Sequence, residues 1–275
     1  MAESVPPDKR NSELSTTQKA SDATTVTQAD IASGLLELGL AAGDTVLVHS
    51  SMKSFGRVEG GPEAVIEALL EVLGPRGCLV MSTLTIGVKE SPVVFDVRKT
   101  SSVAGLVTNV FRNRPNAFRS HHPVSSAAAE GWGAEVIARY HSETPCGLMS
   151  PIGQVYLRGG WCLFMGAPWA SNTMFHVAEE LVMPTYLNLA EFRNARLIDE
   201  QGAEHTVSFK RYNCYQGGVI RDLEAMGPRY EEAGAVRHVR IGNSDCRMIR
   251  ALDVVDITST LLHDHPEQIF KYEAD

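Results

Sequence analysis

The chain has 275 residues with 44% hydrophobic and 7% aromatic content, a composition ordinary for a soluble globular protein and sufficient for one sizeable core. Its 25 Lys and Arg against 33 Asp and Glu leave a formal charge of −8, which argues against a nucleic-acid partner and is compatible with cationic ligands. No apolar run approaches the roughly 18–20 residues that span a bilayer, and the first residues lack a charged-then-apolar leader pattern, so a cytoplasmic protein with no membrane partner is expected.

Residues 1–26 are polar and poor in apolar side chains, and a disordered or loosely packed extension is expected there, with one domain over 27–275. Thr27 is a good N-cap for the helix in QADIASGLLELGL, which stops at Gly39. DTVLVHSS follows as a β-branched strand ending in His49, Ser50 and Ser51. FGRVEGGPEAVIEALLEVLGPRG holds a clear 3.6-period helix between Gly-Gly-Pro and Gly-Pro. CLVMST (78–83) reads as a buried strand, and SSVAGLVTNVFRNR (101–114) as a serine-capped helix. HHPVSSAAAEG and GWGAEVIARY give a strand and a helix, and SPIGQVYLRGG (150–160) a short Ser-capped helix. WCLFMG (161–166) is another buried strand, and the helix of SNTMFHVAEE (171–180) follows it.

Farther on, HTVSFK reads as a strand and YQGGVIRDLEAMG as a helix. RHVRIGNSDCRMIRA reads as a hairpin turning at Gly242-Asn243, and LDVVDITSTLLHDH as a last helix. Alternating helices and buried strands predict an α/β sheet with helices on both faces. Cys78, Cys146, Cys162, Cys214 and Cys246 are scattered, odd in number and free of any CxxC pair, so neither a disulfide framework nor a cysteine metal site is expected.

Two stretches could hold chemistry. HSSMKSFGRVEGG (49–61) sits at the end of the first strand, where open α/β sheets bind ligands; it is also a plausible sequence for a well-capped strand-to-helix connection. SNTMFHVAEE places His176 at the start of a helix, where the positive end of the dipole suits the neutral imidazole of a general base, with Glu179 three and Glu180 four residues on. A structural histidine fits the same pattern. The chain has no GxSxG elbow for a serine hydrolase, no GxGxxG and no GK[ST]. The pair His121 and His122 lacks HExxH or Cys/His spacing, so no metal is expected.

Four segments taken in order resemble the aminoglycoside 3-N-acetyltransferase family: VLVHSSMKSFGRVEGGPEAVIEALLEVLGPRGCLVMST, HPVSSAAAEG, SPIGQVYLRGGWCLFMGAPWASNTMFHVAEE and IGNSDCRMIRALDVVDITSTLL. The resemblance runs from about Ile31 to His265. It implies a single-domain α/β sandwich with a central mixed sheet, distinct from the common acetyltransferase superfamily fold. It also implies transfer of acetyl from acetyl-CoA to an amine of an aminoglycoside or related amino sugar, conferring resistance, in a monomer or homodimer. On this resemblance His176 is the catalytic base and Glu179 its partner. His49, Ser50, Ser51 and Lys53 surround the pantetheine arm and acetyl group, and Ser82, Thr83 and Ser126 line the same groove. Trp169, Asn172 and Glu180 face the substrate. Direct transfer is expected, because no cysteine matches an acyl-carrying position. Where family members often carry an acid, two positions before Asn172-Thr173, this chain has Ala170. The 180–215 segment matches poorly, and Glu191, Asp199 and Glu200 are candidates for the missing charge. A same-fold acyltransferase acting on a biosynthetic amine, or a non-catalytic CoA-binding protein, are the alternative readings.

Overall fold

Helix α1 (Gln28–Leu38) begins where the Thr27 hydroxyl accepts the Asp30 N–H while the Asp30 carboxylate accepts the Thr27 N–H, and it stops at Gly39, whose φ of 94° suits glycine. The computed structural model describes residues 25–85, 93–141, 143–213 and 220–271. After α1 come β1 (Thr45–Ser50), α2 (Gly61–Leu73), β2 (Cys78–Ser82), β3 (Val94–Asp96) and α3 (Leu106–Phe111). Next are β4 (Phe118–Arg119), β5 (Ala127–Gly131), α4 (Ala134–Arg139), α5 (Pro151–Leu157), β6 (Trp161–Met165) and α6 (Phe175–Val182). The chain continues through β7 (Leu189–Ile198), β8 (Glu204–Tyr212), β9 (Ile220–Arg221), α7 (Met226–Glu232), β10 (Arg237–Ile241), β11 (Ser244–Arg250), α8 (Ala251–Asp264) and β12 (Phe270–Lys271).

Seven strands form the main sheet in the order β10-β11-β6-β1-β2-β5-β4. At its centre β1 runs parallel to both β2 and β6, while β5 and β11 run antiparallel on the flanks, so the sheet is mixed. Alternation along β1 sends Val46 and Val48 to one face, into a cluster with Leu35 of α1, Leu69 of α2 and Phe111 of α3. Leu47 points to the other face and meets Ile137 of α4, Val155 of α5, Phe175 of α6 and Val254 of α8. Burial on both faces explains why these strands are continuous apolar runs rather than alternating ones.

A second sheet, β3-β7-β8, has its own small clusters around Phe95, Leu197 and Phe209. Buried His122 ties it to the main body. Its ring stacks on His141 at 4.7 Å, its Nε2–H donates to the Lys210 carbonyl at 3.1 Å, and its Nδ1 accepts the Ser125 N–H at 2.9 Å.

Two elements differ from expectation. The helix expected over 101–114 contracts to α3, because Gly105 adopts φ 120° ahead of it and Ser102 pairs with Asn109 and Ala104 in a loop. In the helix expected from YQGGVIRDLEAMG, residues 214–219 lie outside the described residues; Ile220 and Arg221 pair with β12, and helix begins only at Met226. The extension expected over 1–26 lies outside the described residues through 24, and Val26 is buried against Val58. Cys214 also falls outside them, whereas Cys78, Cys146, Cys162 and Cys246 are buried free thiols. Among the described residues no helix is long and apolar enough to cross a membrane.

Candidate active site

The parallel strands β1, β2 and β6 end at a cleft of about 350 Å³, where the sheet rule places ligands. Its walls include His49, Ser50 and Ser51 from β1, Ser82 from β2, and Ser171, Asn172, Thr173 and His176 at the start of α6. Leu84, Val103 and Ala104 give it an apolar side. A larger cavity, about 680 Å³, is walled by Arg98, Arg112, Arg114 and Arg139 with His121 and Glu200, and none of the residues expected to carry catalysis or hold acetyl-CoA line it. The smaller cleft is the one that holds the His49 and His176 imidazoles and the expected serines.

Helix α6 has no side-chain N-cap at Met174; instead Asn172 Oδ1 accepts the Met174 N–H at 3.1 Å. The Thr173 and Ser82 hydroxyls share a 3.0 Å hydrogen bond that fixes the helix start against β2. One helical turn then sets His176 and Glu179 on one face, with Nδ1 2.5 Å from Oε2. A carboxylate can only accept, so Nδ1 carries a proton, and in the neutral imidazole Nε2 then keeps its lone pair. Glu179 is fully buried. Burial pushes its carboxyl up, but His176 and Arg221 beside it outweigh that and hold it below the usual carboxylate range.

Arg221 Nη1 donates to Glu179 Oε2 at 2.5 Å, and the Tyr186 hydroxyl donates to Oε1 at 2.7 Å. Sequence reading missed both. They reach Glu179 from loops and a two-residue strand, with no periodic pattern to mark them. Tyr212 of β8 was also missed: its ring lies 4.9 Å from that of His176.

His49 faces the α6 side of the sheet, opposite Phe164 in the β1–β6 register, and the two rings stack at 5.0 Å. Its Nε2 has no hydrogen-bond partner among the described residues, and burial pushes its pKa down to about 3, so the ring is neutral.

Several expected contacts lie elsewhere. Lys53 is exposed in the 3-10 turn Met52–Phe55 and does not line the cleft. Thr83 and Ser126 are fully buried behind it, 2.8 Å apart, and their hydroxyls accept from Arg119 Nε at 3.1 Å each. Arg119 fills its remaining donors with the carbonyls of Val97, Thr100 and Thr83, so this trio is a structural network rather than a groove wall. Trp169 packs between Phe164 and Tyr230 with Arg247 4.4 Å above its ring, and Gly227 lies flat against it. Trp169 does not line the cleft. Glu180 turns away from the cleft and accepts from the Cys146 N–H and the Tyr212 hydroxyl, each at 2.7 Å.

Glu191, Asp199 and Glu200 are each paired, with Arg193, His205 and His121. Among the described residues no carboxylate lines the cleft itself. At its rim, however, Glu224 Oε2 accepts the Ala170 N–H at 2.7 Å, and its side chain is otherwise exposed. A distant segment thereby brings a carboxylate to the position where the sequence has alanine.

A family-wide sequence model described as aminoglycoside 3-N-acetyltransferase matches residues 47–263. Aminoglycoside N(3)-acetyltransferase VII of Streptomyces paromomycinus is 31% identical over 260 residues, covering 84% of this chain and 89% of its own. The prophage-derived aminoglycoside N(3')-acetyltransferase-like protein YokD of Bacillus subtilis is 29% identical, covering 84% of this chain and 90% of its own. The crystal structure of aminoglycoside acetyltransferase AAC(3)-IVa superposes with a TM-score of 0.77 at 28% identity, covering 90% of this chain and 93% of that one. The chain belongs to the aminoglycoside 3-N-acetyltransferase family, a family of acyltransferases with this mixed α/β sheet.

Proposed function

We propose that the protein acetylates an amino group of an aminoglycoside from acetyl-CoA, by direct transfer with His176 as general base, and so confers resistance in the cytoplasm. The observation that supports this reading best is the His176–Glu179 pair at 2.5 Å, whose imidazole lines the cleft. The residues present fit an acyl thioester: the cleft is apolar on one side, Ser50 and Ser51 offer hydroxyls, and the buried His49 nitrogen lacks a partner. Acetyl-CoA supplies an acetyl group already activated as a thioester. Solved structures of AAC(3)-IVa variants hold gentamicin at 27% identity and apramycin at 28%, which supports an aminoglycoside as acceptor.

The chain's own part follows from the geometry. Glu179 accepts the Nδ1 proton of His176, which leaves the Nε2 lone pair for a substrate nitrogen. When His176 takes that proton, the imidazolium forms next to a carboxylate already ionised, so no new charge is left without a counter-charge. Arg221 and Tyr186 fix the carboxylate in place. Holding amine and thioester in one cleft supplies the proximity term. Among the described residues, Cys146 is the thiol beside this network; it is buried, and burial raises its pKa beyond reach of a thiolate, which favours transfer without an acyl-enzyme.

Intact-mass measurement tests the direct route: the protein incubated with acetyl-CoA alone is expected to stay unmodified, while added aminoglycoside gains one acetyl group. A stoichiometric acetyl-protein that then passes its group to the drug would refute direct transfer.

A further inference from the structure

Acyl transfer places negative charge on the thioester carbonyl oxygen, and that charge needs a hydrogen-bond donor already aimed at it. Most donors around the cleft are committed. The Ser51 N–H donates to the Met165 carbonyl at 3.0 Å and the Thr83 N–H to the Ser126 carbonyl at 2.7 Å. The Thr83 and Ser126 hydroxyls belong to the Arg119 network. Asn172 spends Oδ1 on Met174, and its buried Nδ2 has no hydrogen-bond partner among the described residues. His49 remains. Its ring lines the cleft, is 7% exposed and is held against Phe164; Nε2 is buried and unpartnered among the described residues, so Nδ1 is the ring nitrogen that reaches the cleft. A neutral imidazole always offers one N–H and one lone pair.

We infer that His49 is the hydrogen-bond donor to the thioester oxygen, its N–H stabilising the charge that develops there while His176 moves the proton. This rests on the acetyl-transfer reading above. The amine lone pair attacks the carbonyl carbon and the C=O π pair moves onto oxygen, which accepts the His49 hydrogen bond without taking its proton. The proton on the attacking nitrogen passes to His176 Nε2. The C=O bond re-forms, the C–S bond breaks, and the departing sulfur takes the proton from His176, leaving an amide and a thiol. A donor that stays neutral does not compete with His176 for proton transfer. The burial that keeps the His49 pKa near 3 secures that neutrality across the working range.

The test uses the full chain with acetyl-CoA labelled with ¹³C at the carbonyl, read by NMR before any amine is added. The bound carbonyl resonance is expected downfield of free acetyl-CoA in the wild type, His176→Ala and His49→Gln, and at the free position in His49→Phe. In turnover, His49→Phe keeps a ring on Phe164 but is expected to lose about 10²–10³-fold in kcat, with KM for acetyl-CoA within about threefold. His49→Gln keeps an amide donor and is expected to recover at least part of that loss. An undisplaced carbonyl in the wild type overturns the inference, and does so even if His49→Phe fails to fold. So does a His49→Phe enzyme with near-normal kcat, or a loss confined to KM. If His176→Ala is dead while His49→Phe is active, only this inference fails; if His176→Ala keeps full turnover, the acetyl-transfer mechanism itself fails.

Discussion

Replacing Glu179 with Gln keeps the side chain's size and removes one charge from a site where that charge has three partners. The wild-type carboxylate accepts from His176 Nδ1 and Arg221 Nη1 at 2.5 Å each and from the Tyr186 hydroxyl at 2.7 Å. A glutamine amide offers one acceptor and one donor group, so at least one of those three donors loses its acceptor. If its NH₂ faces His176, it donates to Nδ1, moves the ring proton to Nε2 and removes the lone pair needed for proton abstraction. General-base loss of this kind costs roughly 10²–10⁴-fold in kcat, and a wrong tautomer alone sits near the upper end of that range. Stability falls as well, because the largely buried Arg221 guanidinium loses the carboxylate it donates to; breaking such pairs costs about 3–5 kcal/mol. The folded-state pKa of Glu179 is lowered, so its stabilising contribution is present above the unfolded value of 4.5 and is lost as pH falls through the folded value. The urea-unfolding gap between wild type and Glu179→Gln is therefore expected to be full at neutral pH and to shrink on acidification below about 4.5. A variant with kcat within tenfold of wild type, or a gap that widens in acid, would refute the tautomer and charge reasoning.

Buried His49 and His122 and half-buried His141 predict acid sensitivity. Burial lowers His49 to about 3, His122 to about 4, and His141 well below 6.5, so between pH 6.5 and about 4 the unfolded chain binds more protons than the folded one. Stability should rise with pH across that window by up to about 1.4 kcal/mol per unit for each histidine, and a flat urea-midpoint profile would contradict it. Arg119→Met is expected to cost about 3–5 kcal/mol, since it strips donors from Thr83, Ser126, Val97 and Thr100 at once; a thermal melt within a degree of wild type would show those bonds are dispensable. Glu224→Gln removes the rim carboxylate, so KM for a polycationic acceptor should rise several-fold with kcat little changed. Its salt dependence should weaken too, and unchanged KM at low salt would exclude Glu224 from substrate attraction.

Much of the frame was legible because local chemistry decided it. Thr27 and Gly39 bound α1 through cap geometry that a sequence states directly, and β1, β2 and β6 announce themselves as runs buried on both faces. The His176–Glu179 pair was readable because a spacing of three on a helix is a spatial contact. What failed was long-range. Arg221 meets Glu179 across 42 residues, from a segment whose sequence reads as helix but pairs as strand with β12. Thr83 and Ser126 look like groove residues by their polarity, yet Arg119 claims them from a neighbouring strand. Trp169 is expected to face the substrate on the family resemblance, but its ring packs into the core, where Gly227 leaves the flat space it needs. Glu224 restores at the rim a charge that Ala170 lacks, and only the folded chain brings the two together.

The most direct test of the mechanism is continuous thiol release from acetyl-CoA across a panel of aminoglycosides, comparing wild type with His176→Ala at equal folded concentration. The account predicts turnover of at least one drug by the wild type and a loss of roughly 10²–10⁴-fold in kcat in the variant, with acetyl-CoA binding retained. Full activity in His176→Ala would contradict it, and acetyl-CoA binding without turnover of any aminoglycoside would leave the fold standing and refute the substrate.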